Sequence, residues 1–410
     1  MSERSIQLRL SLVFFLLAAM PGCWTPVLSI VLEARGWSNL TDWVFVIPSL
    51  GAVVSPLLLA AVADQRVNAE KVLAAVMTAN AICTASAFWF LGQGNSQAWF
   101  LFFLVAKALL GAPAWSLLMS ITLTHLTEPE RQFGGVRVWG TIGWMMAGWG
   151  ISWFALDESP MTGIVASCIG VIAAGFSLTL PATPPSGIQG KTLAESLGLK
   201  AFSILKDRDT AVYFLTAFLF SIPLAAYYVY TPKFLKYLEV ENVAMMLSLG
   251  QTSEIISMLL MGWVFRRLRV KWIFLLALGA GLLRYAFYFG GVLSEGALPG
   301  WGQVVWVAIG IFMHGFCWTL FFESGRLFVD RRVPREVRSQ AQALMTVSTG
   351  GVATIVGVFF SGWLYRWCVE GDGPGWMGFW AVLVGLCVFS LLVFAIGYKG
   401  LPVAVARSSK

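Results

Sequence analysis

The chain has 410 residues, of which 58% are apolar and only 12% charged, and its formal net charge is +7. A soluble globular protein carries about twice that charged fraction, so the composition excludes a soluble domain and predicts a protein embedded in a lipid bilayer. The positive charge does not call for a nucleic acid partner, because basic cytoplasmic loops of a membrane protein account for it.

Apolar segments recur along the whole chain at the length of a membrane-spanning helix, which needs about 20 apolar residues. A turn at Gly92–Asn95 divides one overlong apolar stretch into two spans, because glycine and asparagine accept positive φ. The predicted spans are 9–32, 43–63, 71–91, 98–124, 135–155, 161–180, 210–231, 243–265, 270–293, 301–326, 339–365 and 376–398. We therefore predict an all-α integral membrane protein with twelve transmembrane helices.

The distribution of Lys and Arg predicts the orientation of these helices. Most of the 28 basic residues fall in one set of alternate loops, which the positive-inside rule assigns to the cytoplasm. Both termini and the basic clusters at 266–269 and 331–332 are then cytoplasmic. The six cysteines lack the spacing of metal ligands, so we expect them to fill the core and predict neither a metal site nor a cofactor.

A long connection that begins near Pro181 divides the spans into six and six, which suggests a duplicated chain. Residues 64–66 and 129–131 of the first half are echoed by 266–267 and 334–336 of the second, at nearly the same separation. This plan resembles that of the major facilitator superfamily. The predicted domains are an N-terminal six-helix bundle over 1–180, a cytoplasmic linker over 181–209 and a C-terminal six-helix bundle over 210–410.

Charged residues inside spans need a reason, since one at the centre of a span costs at least ~2.5–3.5 kcal/mol. Gln251 and Glu254, three residues apart in the eighth span, share one helix face. An amide that donates and accepts hydrogen bonds, beside a carboxyl that can exchange a proton, suits a proton-coupled solute site. The alternative is a Glu254–Arg284 ion pair between neighbouring helices, and both roles can coexist. Lys107, inside the fourth span, is also expected to face inward.

The fifth span carries a stripe of Arg137, Thr141 and Trp144 on one face. A guanidinium, a hydroxyl and an indole in a row suit a polar, ring-shaped solute. Arg137 near a helix end could instead extend toward the membrane surface.

Aromatic and polar residues of two further spans are weaker candidates for substrate contact. In these spans tyrosine and tryptophan could equally serve in packing or as interface anchors. The seventh span offers Tyr227 and Tyr228 near its outer end, and the tenth offers His314, Trp318 and Thr319.

Five motifs in order along the chain resemble the bacterial nucleoside:proton symporter family of the major facilitator superfamily. They are Arg137–Gly143, Gln251–Glu254, Leu283–Ala286, Ser324–Val329 and Ser339–Gln342. The resemblance implies a multi-pass transporter of the bacterial inner membrane that takes up nucleosides with protons by alternating access. It implies no enzymatic activity, and we expect a monomer whose partners are the nucleoside, the proton and lipid.

The resemblance also implies that Arg137, Thr141, Trp144, Gln251 and Glu254 belong to a central site held between the two halves. For the charged residues inside the spans, we expect Glu254 and Arg284 to serve in proton coupling.

Departures from the family pattern leave the substrate open. The resemblance implies amide side chains in the seventh span where this chain has Ala225 and Tyr228, and an acidic residue in the tenth where it has Thr319. Unpaired buried polar groups are costly, so these changes alter which solute is accepted. Transport of another polar solute, such as a sugar or a cell-wall fragment, is the alternative function. A membrane-embedded enzyme is disfavoured, because the chain has only two histidines and no catalytic motif.

Overall fold

The computed structural model describes residues 2–51, 67–184, 199–296, 300–333 and 338–400, which are almost entirely helical and contain no β-strand. The helices are α1 (Glu3–Gly22), α2 (Leu28–Ala34), α3 (41–51), α4 (Ala69–Gln93), α5 (Gln97–Gly111), α6 (Pro113–His125), α7 (Pro129–Trp153), α8 (Met161–Ser177), α9 (Arg208–Tyr237), α10 (Val243–Leu247), α11 (Leu249–Arg267), α12 (Val270–Leu293), α13 (Gly300–Trp318), α14 (Ser324–Arg332), α15 (Arg338–Thr346), α16 (Thr354–Tyr365) and α17 (Gly375–Gly397).

The all-α fold class is confirmed, and in the described ranges the predicted spans consist almost entirely of helical residues. Within that part, nine helical segments are long and apolar enough to cross a membrane. The second predicted span is seen only as α3, because residues 52–63 lie outside the described ranges. Twelve crossings therefore stay a prediction.

Proline and glycine set several of the helix ends. The predicted turn at Gly92–Asn95 is confirmed, since α4 ends at Gln93 and Gly94 follows with a φ of 66°. Pro26 occupies the first turn of a short 3₁₀ segment, Thr25–Val27, that interrupts the first span. Pro113 likewise opens α6 and separates it from α5. Proline has no N–H to give to the preceding turn, so it is tolerated where a helix begins.

Three π-helical segments, Thr319–Glu323, Val347–Ala353 and Arg366–Glu370, interrupt helices in the second half of the chain. A π turn inserts an extra residue into the helical ladder and re-aims the side chains beyond it, and such turns are frequent at functional sites. The first of them begins at Thr319, one of the predicted site residues.

The chain packs as two compact units, one of residues 1–191 with 228–251, the other of residues 192–227 with 252–410. Residues 228–251 follow the predicted linker in sequence and yet belong to the first unit. The predicted domains follow the order of the chain and are separated by the linker 181–209. That division stays a prediction.

In the first unit, α1 and α7 approach at glycines. A β-carbon at Gly143 would lie 2.2 Å from the Phe15 carbonyl oxygen, and one at Gly22 would lie 2.8 Å from that of Trp144. Glycine at both positions therefore brings the face of α7 with the predicted stripe against α1.

The second unit has an aromatic core around Tyr213, which is fully buried and packs against Phe274, Phe321 and Phe328. Five of the six cysteines in the chain are buried, as predicted, whereas Cys168 is exposed on the outer face of α8. That one expectation was wrong, because an apolar span does not reveal which of its faces packs inward.

Candidate functional site

The stripe on α7 is anchored within the first unit by an aromatic ring. The Arg137 guanidinium carbon lies 4.5 Å from the centroid of the Trp115 ring on α6. Thr141 is 6% exposed, and Trp144 is partly buried. This cation–π contact holds the arginine over the α6 surface and favours the inward-facing interpretation of the stripe. Trp115 was not a sequence candidate, since one tryptophan among 19 carries no signal of its own.

Arg284 of α12 is the centre of a buried polar cluster in the second unit. It is fully buried, donates to His314 Nδ1 at 2.9 Å and donates to the Tyr285 hydroxyl at 2.9 Å. Because arginine can only donate, Nδ1 must accept, so His314 is neutral with its proton on Nε2. The Tyr285 hydroxyl donates in turn to the Pro223 carbonyl oxygen of α9. The cluster thus ties α9, α12 and α13 together.

Three of the predicted aromatic candidates form one stack beside this cluster. The rings of Tyr227 and His314 lie 4.4 Å apart with an interplanar angle of 13°, and the rings of His314 and Trp318 lie 6.3 Å apart with an angle of 26°. The Arg284 guanidinium carbon lies 4.8 Å from the Tyr227 ring centroid. Tyr227 and His314 are only 3% and 2% exposed, so the stack is a buried wall.

Glu254 lies where α11 meets α13. The Gly315 N–H donates to the Ser253 hydroxyl at 3.0 Å, and a β-carbon at Gly315 would lie 2.0 Å from the Glu254 backbone nitrogen. Glu254 itself is partly exposed. The helix contact therefore requires glycine at 315 and fixes the backbone of α11 at Glu254. The Glu254–Arg284 ion pair stays a prediction.

The remaining candidates differ in their accessibility. Gln251 on α11 is partly buried and belongs to the first unit, whereas Glu254 belongs to the second. Tyr228 is 36% exposed. Thr319 is fully buried at the start of the π segment, and its hydroxyl has no hydrogen-bond partner among the described residues. At this residue the backbone hydrogen bonds change from the α-helical to the π-helical pattern.

A polar network that sequence reasoning missed holds α10 in the first unit. The Asp157 carboxylate, in the α7–α8 loop, accepts from the Ala244 N–H at 2.7 Å and from the Ser152 hydroxyl at 2.9 Å. The Ser152 oxygen accepts from the Met245 N–H at 2.9 Å. Burial raises the pKa of Asp157, although the hydrogen bonds from Ala244 and Ser152 oppose the shift. A lone loop aspartate gave no sign of this contact.

Neither unit offers the donor set of a metal centre in its described part, where no three His, Cys, Asp or Glu side chains are grouped to hold an ion. The described side chains of the candidate site can recognise a solute by hydrogen bonds, aromatic stacking and charge.

Comparison with known proteins agrees with this chemistry. The sequence profile described as "Nucleoside H+ symporter" matches residues 4–401. The chain is 29% identical over 407 residues to the putative nucleoside transporter YegT of Escherichia coli K12, covering 94% of this chain and 93% of that protein. It is 26% identical to the xanthosine permease of the same organism, covering 96% of each.

Solved structures share the fold at low sequence identity. The nucleoside transporter NupG matches with a TM-score of 0.80 and 23% identity, covering 96% of this chain and 99% of that one. A D-xylose-proton symporter matches with a TM-score of 0.70 and 12% identity, covering 97% and 98%.

Proposed function

The chain belongs to the nucleoside H⁺ symporter family, and from this premise we propose which residues carry the solute and the proton. It is a multi-pass transporter and not an enzyme, and its function is proton-coupled symport of nucleosides. The residue assignment is supported by what each unit offers by itself, which is an aromatic surface beside hydrogen-bonding side chains: Arg137 and Trp144 on α7 in the first unit, and the stack of Tyr227, His314 and Trp318 beside Arg284 in the second. A nucleoside has a flat base and a polar sugar, and it needs both.

From α7, we propose that Arg137, Thr141 and Trp144 contact the solute. The guanidinium and the hydroxyl would donate to carbonyl or sugar oxygens, while the partly exposed Trp144 indole would stack on the base. Support comes from the contact of Arg137 with Trp115, which restrains the guanidinium before a solute arrives. A restrained donor loses less conformational entropy on binding.

From the second half of the sequence, we propose Gln251, Glu254, Tyr228 and Thr319 as solute contacts. Glu254 and Tyr228 retain exposed surface, so a solute can reach them. The buried Thr319 hydroxyl lacks a described partner, and binding could supply one.

The stack of Tyr227, His314 and Trp318 would form the wall behind these contacts, held by Arg284.

For proton coupling, we propose that Glu254 is protonated from the outside, that substrate binds more tightly to this protonated form, and that the proton leaves inside. A ligand shifts a conformational equilibrium only through such a difference in affinity. Arg284 would act on Glu254 through Tyr227, whose ring it contacts. Alternating access, cytoplasmic termini, a place in the bacterial inner membrane and a monomeric state complete the proposal.

The test is uptake by the purified protein in proteoliposomes with an inward proton gradient, using uridine, adenosine and xanthosine, and D-xylose as a sugar control. Glu254→Gln should abolish accumulation against a gradient and leave counterflow exchange partly intact. Glu241→Gln makes the same chemical change at an exposed loop position and should accumulate solute as the parent does. If Glu254→Gln still concentrates a nucleoside, the assignment of the proton carrier is wrong.

A further inference from the structure

Lys107 is a charged residue inside a membrane-spanning segment, and no acidic side chain in the described ranges pairs with it. It lies on α5, which continues past Pro113 into α6 as one apolar segment, Gln97–His125. Its ammonium nitrogen lies 4.3 Å from the centroid of the Trp24 ring. Trp24 is 3% exposed, so the head of the lysine points into the first unit and not toward lipid. Among the described residues Lys107 makes neither an ion pair nor a hydrogen bond.

Trp24 supplies a second, independent observation. Its indole N–H is buried and has no acceptor in the described part of the chain. The residue lies in the short break between the end of α1 at Gly22 and the 3₁₀ segment Thr25–Val27, which contains Pro26. A buried N–H without a partner costs about 1–3 kcal/mol, which an incoming acceptor would recover.

A third donor lies one turn along α5. Gly111 is four residues from Lys107 and therefore on the same helix face. A β-carbon at Gly111 would lie 1.9 Å from the Asn80 amide nitrogen, so that amide rests directly on this face. The Asn80 Oδ1 lies on the other side, 3.3 Å from the Thr84 hydroxyl, which donates chiefly to the Asn80 backbone carbonyl oxygen at 2.7 Å. What Asn80 offers on the α5 side is thus its N–H₂ group.

These three groups share one chemical property, which is that they donate. An ammonium has three N–H donors, and an aromatic ring gives them electrostatic contact without an oxygen acceptor. A purely structural lysine–tryptophan pair contributes about 0.5–2 kcal/mol, and it leaves the desolvated ammonium and the indole N–H unsatisfied. The arrangement is complementary to an anion or to a ring edge that carries only acceptors.

We propose that Lys107, Trp24 and Asn80 form a subsite for the base of an anionic, dicarbonyl nucleoside, one whose ring N–H is acidic enough to ionise near neutral pH. This inference rests on the proposed function and names the substrate class within it. The ammonium pairs with the ionised ring, while the indole and amide N–H groups donate to the carbonyl oxygens. A neutral base has no charge to pair with the ammonium, so Lys107 adds nothing to its affinity.

The test is competition for counterflow of labelled uridine by unlabelled xanthosine, which is anionic near neutral pH, and by adenosine, which is neutral. Lys107→Met keeps the length of the side chain and removes its charge. We expect it to raise the half-inhibiting concentration of xanthosine about tenfold or more and that of adenosine less than about threefold, because an unpaired polar edge is rejected strongly. Lys107→Arg should retain most xanthosine competition.

Two further variants distinguish hydrogen bonding by the indole N–H of Trp24 from a general effect of removing a positive charge. Trp24→Phe keeps a ring under the ammonium and removes the indole N–H, so we expect a selective loss of about threefold for xanthosine. Lys71→Met makes the same substitution at an exposed position in the first turn of α4 and should change neither nucleoside. If Lys107→Met does not fold, Lys107→Arg and Trp24→Phe still decide between the selective loss and a general one.

The outcomes distinguish this inference from the function it rests on. If the parent protein exchanges no nucleoside, the proposed function is wrong and the subsite with it. If the parent exchanges uridine but xanthosine never competes, or if Lys107→Met leaves xanthosine unaffected or weakens both competitors equally, only the subsite is wrong. Selective loss of xanthosine competition, retained by arginine, supports it.

Discussion

The Asp157 carboxylate accepts a hydrogen bond from the backbone N–H of Ala244, which lies 2.7 Å away and 87 residues later in the chain. This bond joins the α7–α8 loop to α10, and two further bonds reinforce it: Met245 N–H to Ser152, and Trp149 Nε1–H to Ser248 at 2.6 Å. Together they explain why residues 228–251 pack with the first unit, although the sequence places them in the second half.

Replacing Asp157 by alanine should destabilise the protein by about 1–3 kcal/mol, since the Ala244 N–H would be left buried without an acceptor. Asp157→Asn keeps a carbonyl oxygen for the same N–H and should cost clearly less. The measurement is the midpoint of thermal unfolding in detergent, followed with a thiol-reactive dye that reports exposure of the buried cysteines. Equal losses in the two variants would contradict this role.

The pH dependence of the same contact has a definite sign. Burial raises the pKa of Asp157 above that of the unfolded chain. The contribution of this group to stability is therefore present below the ordinary aspartate pKa and is lost as pH rises through the raised value. We expect Asp157→Asn to remove this loss, so the stability of the variant relative to the parent should increase from acid to neutral pH. A constant difference between the two would show that the carboxyl does not titrate in this range.

Arg284 should be more important for stability than its single charge suggests. It is fully buried and donates to His314 and Tyr285 at once. Arg284→Lys retains the charge but cannot reproduce the planar fork, so we expect a fall of about 1–3 kcal/mol in stability and a loss of transport. Arg269→Lys, at an exposed position before α12, is the control and should be neutral. Parent-like melting of Arg284→Lys would contradict the central place of the cluster.

Two glycines of α7 offer a matched pair of substitutions. A β-carbon at Gly143 would meet the Phe15 carbonyl oxygen at 2.2 Å, whereas at Gly150 nothing lies within 4 Å. Gly143→Ala should therefore destabilise the protein by about 1–3 kcal/mol, because backbone cannot move aside as a flexible side chain can. Gly150→Ala should be neutral or stabilising by up to about 1 kcal/mol, since alanine has the higher helix propensity. Thermal unfolding of both variants in the same detergent measures the difference.

Much of the fold could be predicted from the sequence. The ninth predicted span, 270–293, coincides with α12, because basic residues before it and polar residues after it bound an apolar run of membrane length. The π segment at Thr319 could not be predicted, since inserting a residue into a helical turn depends on what packs against it. The tenth span was accordingly predicted as one regular helix.

The candidate site was predictable where its residues share a helix face, as in the Arg137, Thr141 and Trp144 stripe. It was not predictable where the partners are far apart in the chain. Nothing in sequence spacing pairs Lys107 with Trp24, or Arg137 with Trp115. Burial of Tyr227 and His314 within a stack was equally hidden.

The sequence by itself determined that this protein is embedded in a bilayer. It also determined which segments are helical and which family motifs those helices carry. Those properties follow from local composition and helical periodicity, which act over one to a few turns. Only the tertiary structure decided which charged side chains face a ring, an N–H group or another helix. Such contacts join distant segments whose approach is set by the packing of whole helices, and a linear pattern does not encode that packing residue by residue.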